Sequence, residues 1–197
     1  MKLYYTAGAC SMASHILLNE LGLSYETESV DLKSHKTQKG DDFYKINSKG
    51  YVPALVLDNG QVLTEGVAIL SYIKDLKSSK ESADKYKELE WLIFIATELH
   101  KNLGPLFGLK NAPEEIIKGV KDKVAKRFDW LEGQLVDREY VLGNNFGPAD
   151  AYLFTVLSWC PHLGIDLSQW KNLSSFVKRI QGRPAVLKTL QQEGLIK

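Results

Sequence analysis

Cys10 occupies a position at which a cysteine gains reactivity. It follows a predicted strand and a glycine-containing loop, and it precedes a predicted helix. The unpaired amides and the positive dipole end of a helix's first turn favour a thiolate over a thiol. The position therefore predicts a reactive cysteine, although a small buried thiol fits it equally well.

The other cysteine, Cys160, is distant in sequence, and the chain has neither a Cys-x-x-Cys dithiol nor cysteines and histidines at zinc spacing, so we expect no metal. A lone reactive thiol favours chemistry on a small external thiol held beside the first helix. Glutathione, the abundant cytoplasmic candidate, is a tripeptide with two carboxylates and one ammonium group. Its site needs a helix N-terminus for a carboxylate and a protein carboxylate for the ammonium group.

The segment Thr64-Glu65-Gly66 offers both of these features. First-turn amides near Gly66 are candidates for the carboxylate and Glu65 for the ammonium group, unless Glu65 only complements the helix dipole. Val52-Pro53 adds a backbone segment that can grip a peptide in strand fashion, because proline cannot donate a ladder bond. An ordinary edge-strand proline is the alternative interpretation.

The elements that position these residues follow a βαβ-ββα order. Thr64 is the predicted N-cap of the last helix in this order, and Asn59-Gly60 is a hairpin signal between the two preceding strands. The polar segment 78–83 has no periodicity and predicts a linker between domains 1–77 and 84–197. The strands are predicted at 2–6, 24–30, 54–57 and 61–63, and the first helix at 10–21.

Beyond the linker the pattern is helical, with apolar residues at helical spacing. One long helix passes through Leu89 and Leu103 and ends at Gly104-Pro105. The helix at 149–159 is apolar on nearly all sides, which predicts a central buried helix. The remaining helices are predicted at 117–135, 173–180 and 184–190.

Composition excludes several functional classes. The 25 Lys and Arg residues nearly balance the 24 Asp and Glu residues, and 44% of the chain is hydrophobic, which is ordinary for a globular protein and untypical of a nucleic-acid binder. No apolar stretch approaches the ~20 residues that cross a bilayer, and the N-terminus does not resemble a signal peptide. We therefore expect a cytoplasmic protein that binds neither nucleic acid nor membrane.

Seven segments in order, spanning nearly the whole chain, strongly resemble the bacterial beta-class glutathione transferases. They are Leu3-Tyr4-Tyr5, Gly8-Ala9-Cys10-Ser11, Lys49-Gly50-Tyr51-Val52-Pro53, Leu63-Thr64-Glu65-Gly66-Val67-Ala68-Ile69, Glu90-Trp91-Leu92, Glu98-Leu99-His100-Lys101 and Ala149-Asp150-Ala151-Tyr152-Leu153-Phe154. The resemblance implies a two-domain α+β protein with a thioredoxin-like N-terminal domain and an all-helical C-terminal domain. It also implies a homodimer, glutathione as substrate in the first domain, and a pocket for a hydrophobic electrophile between the domains.

The same resemblance assigns roles to individual residues. It implies that Pro53 is cis, that the cysteinyl backbone of glutathione pairs with Val52, and that Cys10 lies beside the glutathione sulfur. His100 points at that sulfur and is with Cys10 a candidate catalytic residue, whereas periodicity alone favours a core histidine there. The candidate glutathione-binding residues are Cys10, His35, Val52, Pro53, Glu65, Gly66, Thr97, Glu98 and His100.

Departures from the family pattern predict weaker glutathione binding. His35 stands where a lysine commonly reaches a glutathione carboxylate, and Ile93 replaces an asparagine near the ligand. At the buried helix, Gly147 replaces the usual Ser or Thr cap, while Asp150 can still reach back to the Gly147 amide.

Three functions follow from these residues. The first is a glutathione transferase that stabilises the glutathione thiolate for attack on a hydrophobic electrophile. The second is a glutathione-dependent thiol-disulfide reductase or peroxidase with Cys10 as nucleophile. The third is a non-catalytic ligand carrier. Candidate donors to the thiolate are Ser11, His100, the Cys10 thiol and the helix amides, with Tyr5 a weaker candidate.

Overall fold

The computed structural model describes residues 1–77, 83–109 and 111–197. The chain forms two compact units: Met1–Lys80 with Gly182–Lys197, and Glu81–Gln181. The predicted linker 78–83 lies, except for residue 83, outside the described residues. The domain bounds 1–77 and 84–197 stay a prediction. The C-terminal segment, Gly182–Lys197, packs as part of the first unit.

Among the described residues, the first unit contains a five-stranded mixed sheet in the order β3-β2-β1-β4-β5. The pair β1 and β2 is parallel, and the other neighbours are antiparallel. The strands are β1 (Lys2–Tyr5), β2 (Glu26–Asp31), β3 (Lys36–Thr37), β4 (Ala54–Val56) and β5 (Val62–Thr64). The predicted βαβ-ββα order and thioredoxin-like fold are confirmed. Strand β3 escapes prediction because two residues carry no alternation.

Three helices of the first unit are α1 (Ser11–Glu20), α2 (Gly66–Asp75) and α8 (Pro184–Gln192). Helix α1 ends before Gly22, whose φ of 59° suits the predicted C-cap glycine. Helix α8 packs against α1: the Asn19 amide donates to the Thr189 hydroxyl over 2.9 Å, and Arg183 pairs with Glu20. The end of the chain therefore supports the helix that follows Cys10.

The second unit is helical. Its helices are α3 (Ala83–Phe94), α4 (Lys101–Leu103), α5 (Glu114–Gln134), α6 (Pro148–Leu157) and α7 (Lys171–Gln181). Helix α6 is buried along its whole length, as its apolar pattern predicts. The Asp150 carboxylate accepts the amides of Gly147 and Val141, each over 2.8 Å. The backward half of the capping box is thus confirmed, and the helix forms with glycine as its cap.

Residues 1–77, 83–109 and 111–197 lack two features that would bear on function. No helix there is both long and apolar enough to cross a membrane. In the same part of the chain, no group of three or more His, Cys, Asp or Glu side chains is arranged to hold a metal ion.

Candidate functional site

The loop between β1 and α1 places Cys10 at the N-cap of α1. Ser11 stabilises this loop, because its hydroxyl accepts the Thr6 amide over 3.2 Å and lies 3.3 Å from the Thr6 carbonyl oxygen. The sequence suggested Ser11 as a donor to a bound thiolate, but in this structure its hydroxyl is engaged by Thr6. The predicted location of Cys10 at the start of a helix is confirmed.

The C-terminal segment also contacts the loop between β1 and α1. The Gly8 amide donates to one Glu193 carboxylate oxygen over 2.8 Å, and the other oxygen lies 2.9 Å from His15 Nδ1 on α1. Tyr5, a weaker candidate for thiol activation, packs its ring against His15 with centroids 5.5 Å apart. Glu193 is separated from Gly8 by 185 positions, so neither periodicity nor a motif links them.

The Cys10 thiol donates a hydrogen bond to the Val52 carbonyl over 3.2 Å. Burial raises its pKa to about 11, although the backbone amides of Cys10 and Ser11 act in the opposite direction, and the Glu65 carboxylate raises it further. Loss of hydration at this thiol therefore outweighs the effect of the helix amides on its pKa. Of the two interpretations left open by the sequence, the structure favours the protonated thiol.

Val52 lies two residues before strand β4, and its peptide bond to Pro53 is cis, as the family resemblance implies. The ladders of β4 with β1 and β5 begin at Ala54, so Val52 lies just outside them. The Asn47 side chain supports the preceding turn, because its amide nitrogen donates to the Tyr51 carbonyl over 2.6 Å. The backbone at Val52 is therefore held at the end of the sheet, beside Cys10.

Glu65 lies where β5 meets α2. The predicted N-cap Thr64 is wrong: Thr64 ends β5, and Glu65 takes the cap position with φ of 72°. Positive φ is uncommon for a residue with a side chain and is found more often at functional sites. Lys49 forms an ion pair with the exposed Glu65 carboxylate and donates to the Thr64 hydroxyl over 2.8 Å. Helix α2 begins at Gly66, as predicted for a carboxylate-binding N-terminus.

His35 lies between β2 and β3, and its ring contacts the ring of Tyr44 with centroids 4.5 Å apart. Its backbone has a φ of 52°. The predicted contact of His35 with a glutathione carboxylate stays a prediction.

Thr97, Glu98 and His100 lie in a π-helical turn, Ile95–His100, between α3 and α4. The sequence predicts one uninterrupted helix here, because the apolar residues Leu92, Ile95, Leu99 and Leu103 keep three- and four-residue spacing across the π turn. The Thr97 hydroxyl donates to the Ile93 carbonyl over 2.9 Å, and Arg127 donates to the Glu98 carboxylate over 2.7 Å. π turns occur frequently at functional sites.

His100 Nδ1 lies 2.6 Å from the Tyr152 hydroxyl, and the Trp159 ring is edge-on to the imidazole with centroids 5.0 Å apart. Burial lowers the pKa of His100, so the imidazole is neutral at pH 7. A neutral ring nitrogen accepts a hydrogen bond better than a phenol oxygen, so we assign the phenol as donor and the imidazole proton to Nε2. The sequence analysis did not identify Tyr152 as a partner of His100. The available signal was that a tyrosine on a buried helix needs a hydrogen-bond partner for its hydroxyl group.

Ionisation of Cys10 is measurable through its alkylation. Because its pKa is about 11, we expect the rate constant with iodoacetamide to rise about tenfold per pH unit between about pH 7 and pH 9, without a plateau. Cys10→Ser assigns the signal, since Cys160 is fully buried. A plateau below pH 8 would show that the thiolate already forms near neutral pH and would contradict this interpretation.

Comparison with known proteins identifies the family. The profile of the glutathione S-transferase N-terminal domain matches residues 1–75, and that of the C-terminal domain matches residues 66–184. The chain is 43% identical to the glutathione S-transferase GstA of Escherichia coli O157:H7, over 99% of this chain and 100% of that protein.

Two solved structures are similar over the full length of both chains. A bacterial beta class glutathione S-transferase from Sphingomonas chungbukensis has 40% identity and a TM-score of 0.94, with 100% of each chain covered. A sphingomonad glutathione S-transferase in complex with glutathione has 39% identity and a TM-score of 0.94, again with 100% of each chain covered. The chain belongs to the glutathione S-transferase family and, within it, to the bacterial beta class.

Proposed function

We propose that this chain is a glutathione transferase that holds the tripeptide in its first unit and activates the tripeptide's thiol for attack on a hydrophobic electrophile. One observation carries the proposal: the Cys10 thiol lies 3.2 Å from the Val52 carbonyl oxygen, next to the cis-proline. A thiol and a backbone segment outside the β-ladder thus meet where an extended peptide can pair with the protein. A relative solved in complex with glutathione supports this choice of tripeptide.

Glu65 and the start of α2 supply partners for the γ-glutamyl end. The first-turn amides of α2, from Gly66 onward, can bind the carboxylate. The Glu65 carboxylate can bind the ammonium group through charge-assisted hydrogen bonds. Glu65 now pairs with Lys49, but both side chains are exposed, so this ion pair contributes little and exchanges partners readily.

Cys10 serves in this proposal as a hydrogen-bond donor. Its pKa of about 11 lies well above the ordinary thiol value of about 8.5, so it keeps its proton while the glutathione thiol ionises. When glutathione binds, the single Cys10 S–H group turns from the Val52 carbonyl to the glutathione sulfur, and together with the α1 amides it stabilises that thiolate. The thiolate attacks the electrophilic carbon: a carbon–sulfur bond forms, and the leaving group departs with its electron pair.

The second unit contributes candidate residues of its own. His100 is proposed as a donor through Nε2–H, because Tyr152 occupies Nδ1. Thr97 and Glu98 keep their predicted role in glutathione binding, and the π turn fixes their backbone. A homodimer, implied by the family resemblance, and a cytoplasmic location, expected from the pattern of apolar residues in the sequence, belong to the same proposal.

Replacement of Cys10 separates the transferase from its rivals. We expect Cys10→Ala to conjugate glutathione to a chlorodinitrobenzene within about tenfold of the wild-type rate, because one weak donor is lost while the α1 amides remain. Reduction of a glutathionyl mixed disulfide needs Cys10 as nucleophile and is expected to disappear. The matched control Cys160→Ala, at a buried position in the second unit, should leave both rates unchanged.

Three results would contradict this proposal. One is a wild-type conjugation rate no higher than that in buffer. Another is complete loss of conjugation in Cys10→Ala, which would make Cys10 indispensable to conjugation and not one donor among several. The third is a protein that is not retained on immobilised glutathione but binds hydrophobic dyes, as a ligand carrier does.

Tyr152 is expected to position His100 for catalysis. In Tyr152→Phe the Nδ1 partner is lost, so both imidazole tautomers become populated, and we expect kcat to fall by about fivefold with little change in the KM for glutathione. Nitrogen chemical shifts of the His100 ring report the tautomer directly. Tyr86→Phe, at an exposed tyrosine of the same unit, is the control. An unchanged His100 tautomer and an unchanged kcat in Tyr152→Phe would show that Tyr152 does not position His100.

A further inference from the structure

The rings of His35 and Tyr44 form an aromatic platform in the first unit. Their centroids are 4.5 Å apart and their planes differ by 35°. The His35 carbonyl accepts the Phe43 amide over 2.9 Å, so the backbone before Tyr44 is tied to the backbone of His35. The platform is therefore fixed by both backbone and ring contacts.

Gly50 lies directly on this platform. A Cβ atom at Gly50 would lie 2.7 Å from Tyr44 Cε1, closer than Cβ atoms approach other atoms in proteins, and 3.2 Å from His35 Cε1, which is a tight contact. The φ of 70° at Gly50 also favours glycine. The turn thus approaches both rings as closely as its backbone allows.

Gly50 is only two residues before Val52, and the intervening turn is well tied. The Gly50 amide donates to the Asn47 carbonyl over 2.8 Å, and the Asn47 side chain binds the Tyr51 carbonyl over 2.6 Å. Phe43, next to Tyr44, belongs with Val52 to one buried apolar cluster. The platform, the turn and Val52 are therefore one contiguous packed structure.

Within the part of the chain that the structure describes, the His35 ring is held by packing contacts and not by a hydrogen bond at Nδ1. Its Nδ1 atom is buried and, among the described residues, has no hydrogen-bond partner within reach. A buried ring nitrogen without a partner is unfavourable, so its retention requires compensating contacts of the ring. The contacts with Tyr44 and with the Gly50 turn are such contacts, and a lysine at this position could not reproduce the ring stacking.

We propose that His35 and Tyr44 are positioning residues that hold the Gly50 turn and thereby fix Val52 for pairing with the tripeptide. This inference rests on the proposed function of Val52 in glutathione binding. It differs from a direct contact between His35 and a glutathione carboxylate, because it depends on the ring of residue 35 and not on its charge.

Paired substitutions at position 35 distinguish the ring from the charge. We expect His35→Phe to keep the KM for glutathione within about twofold of wild type, whereas His35→Ala and His35→Lys raise it about fivefold with kcat little changed. At position 44, Tyr44→Phe should likewise keep the KM for glutathione near the wild-type value, whereas Tyr44→Ala should raise it. A direct carboxylate contact predicts the opposite order, with His35→Lys lowering the KM and His35→Phe raising it as much as His35→Ala.

A second measurement needs no glutathione. The Cys10 thiol donates to the Val52 carbonyl, so loosening of the turn exposes the thiol, and we expect alkylation by iodoacetamide to accelerate about fivefold in His35→Lys and Tyr44→Ala but not in the Phe variants. If the protein proves to have no conjugating activity, this rate still tests the platform. Equal alkylation rates in wild type, His35→Lys and Tyr44→Ala, with folding verified by thermal unfolding, would overturn the proposal.

Discussion

The hydrogen bond from the Cys10 thiol to the Val52 carbonyl joins two chain segments on which the proposed site depends. One segment is the loop from β1 into α1, and the other is the cis-proline turn into β4. In the first segment the Ser11 hydroxyl accepts the Thr6 amide and Glu193 accepts the Gly8 amide. In the second, the Asn47 side-chain amide donates to the Tyr51 carbonyl. Buried polar groups that are fully paired hold the backbone in one arrangement.

Partial burial of Cys10 has a chemical consequence beyond packing. A helix N-terminus lowers a thiol's pKa when the thiol stays hydrated, but here the loss of hydration has the larger effect and the proton is retained. A protonated thiol is a donor, and a donor is what a neighbouring thiolate requires. The same burial that makes Cys10 a poor nucleophile therefore suits it to stabilise the sulfur of another molecule.

Much of this fold is encoded locally and was predictable. The β1–α1 order, the Gly22 cap and the Asn59-Gly60 hairpin each follow from a few neighbouring residues. The cis bond before Pro53 was available only through family resemblance, because no spacing rule distinguishes it from a trans bond. It shows how a motif carries structural information that periodicity lacks.

Some features could not be predicted from the sequence. They depend on contacts between residues far apart in the chain, or on whether hydration or hydrogen bonding has the larger effect on a group's pKa. The Gly8–Glu193 contact joins residues 185 positions apart. Buried apolar residues keep three- and four-residue spacing across the π turn at Ile95–His100, so hydrophobic periodicity cannot detect this turn. The N-cap at Glu65 contradicts the preference for Thr64, because Thr64 continues the pairing of β5 with β4. The protonation state of Cys10 could be inferred only once the burial of its thiol was known, because burial has the largest effect on its pKa.

Titration of glutathione into the isotope-labelled protein, followed through backbone amide resonances, tests the central claim most directly. If the tripeptide binds beside Cys10 and pairs with Val52, the largest shifts occur at the amides of Cys10, Val52, Glu65 and Gly66, while the amide of Gly60 in the β4–β5 turn stays unchanged. Shifts confined to other parts of the chain, or none at glutathione concentrations that support conjugation, would contradict the account.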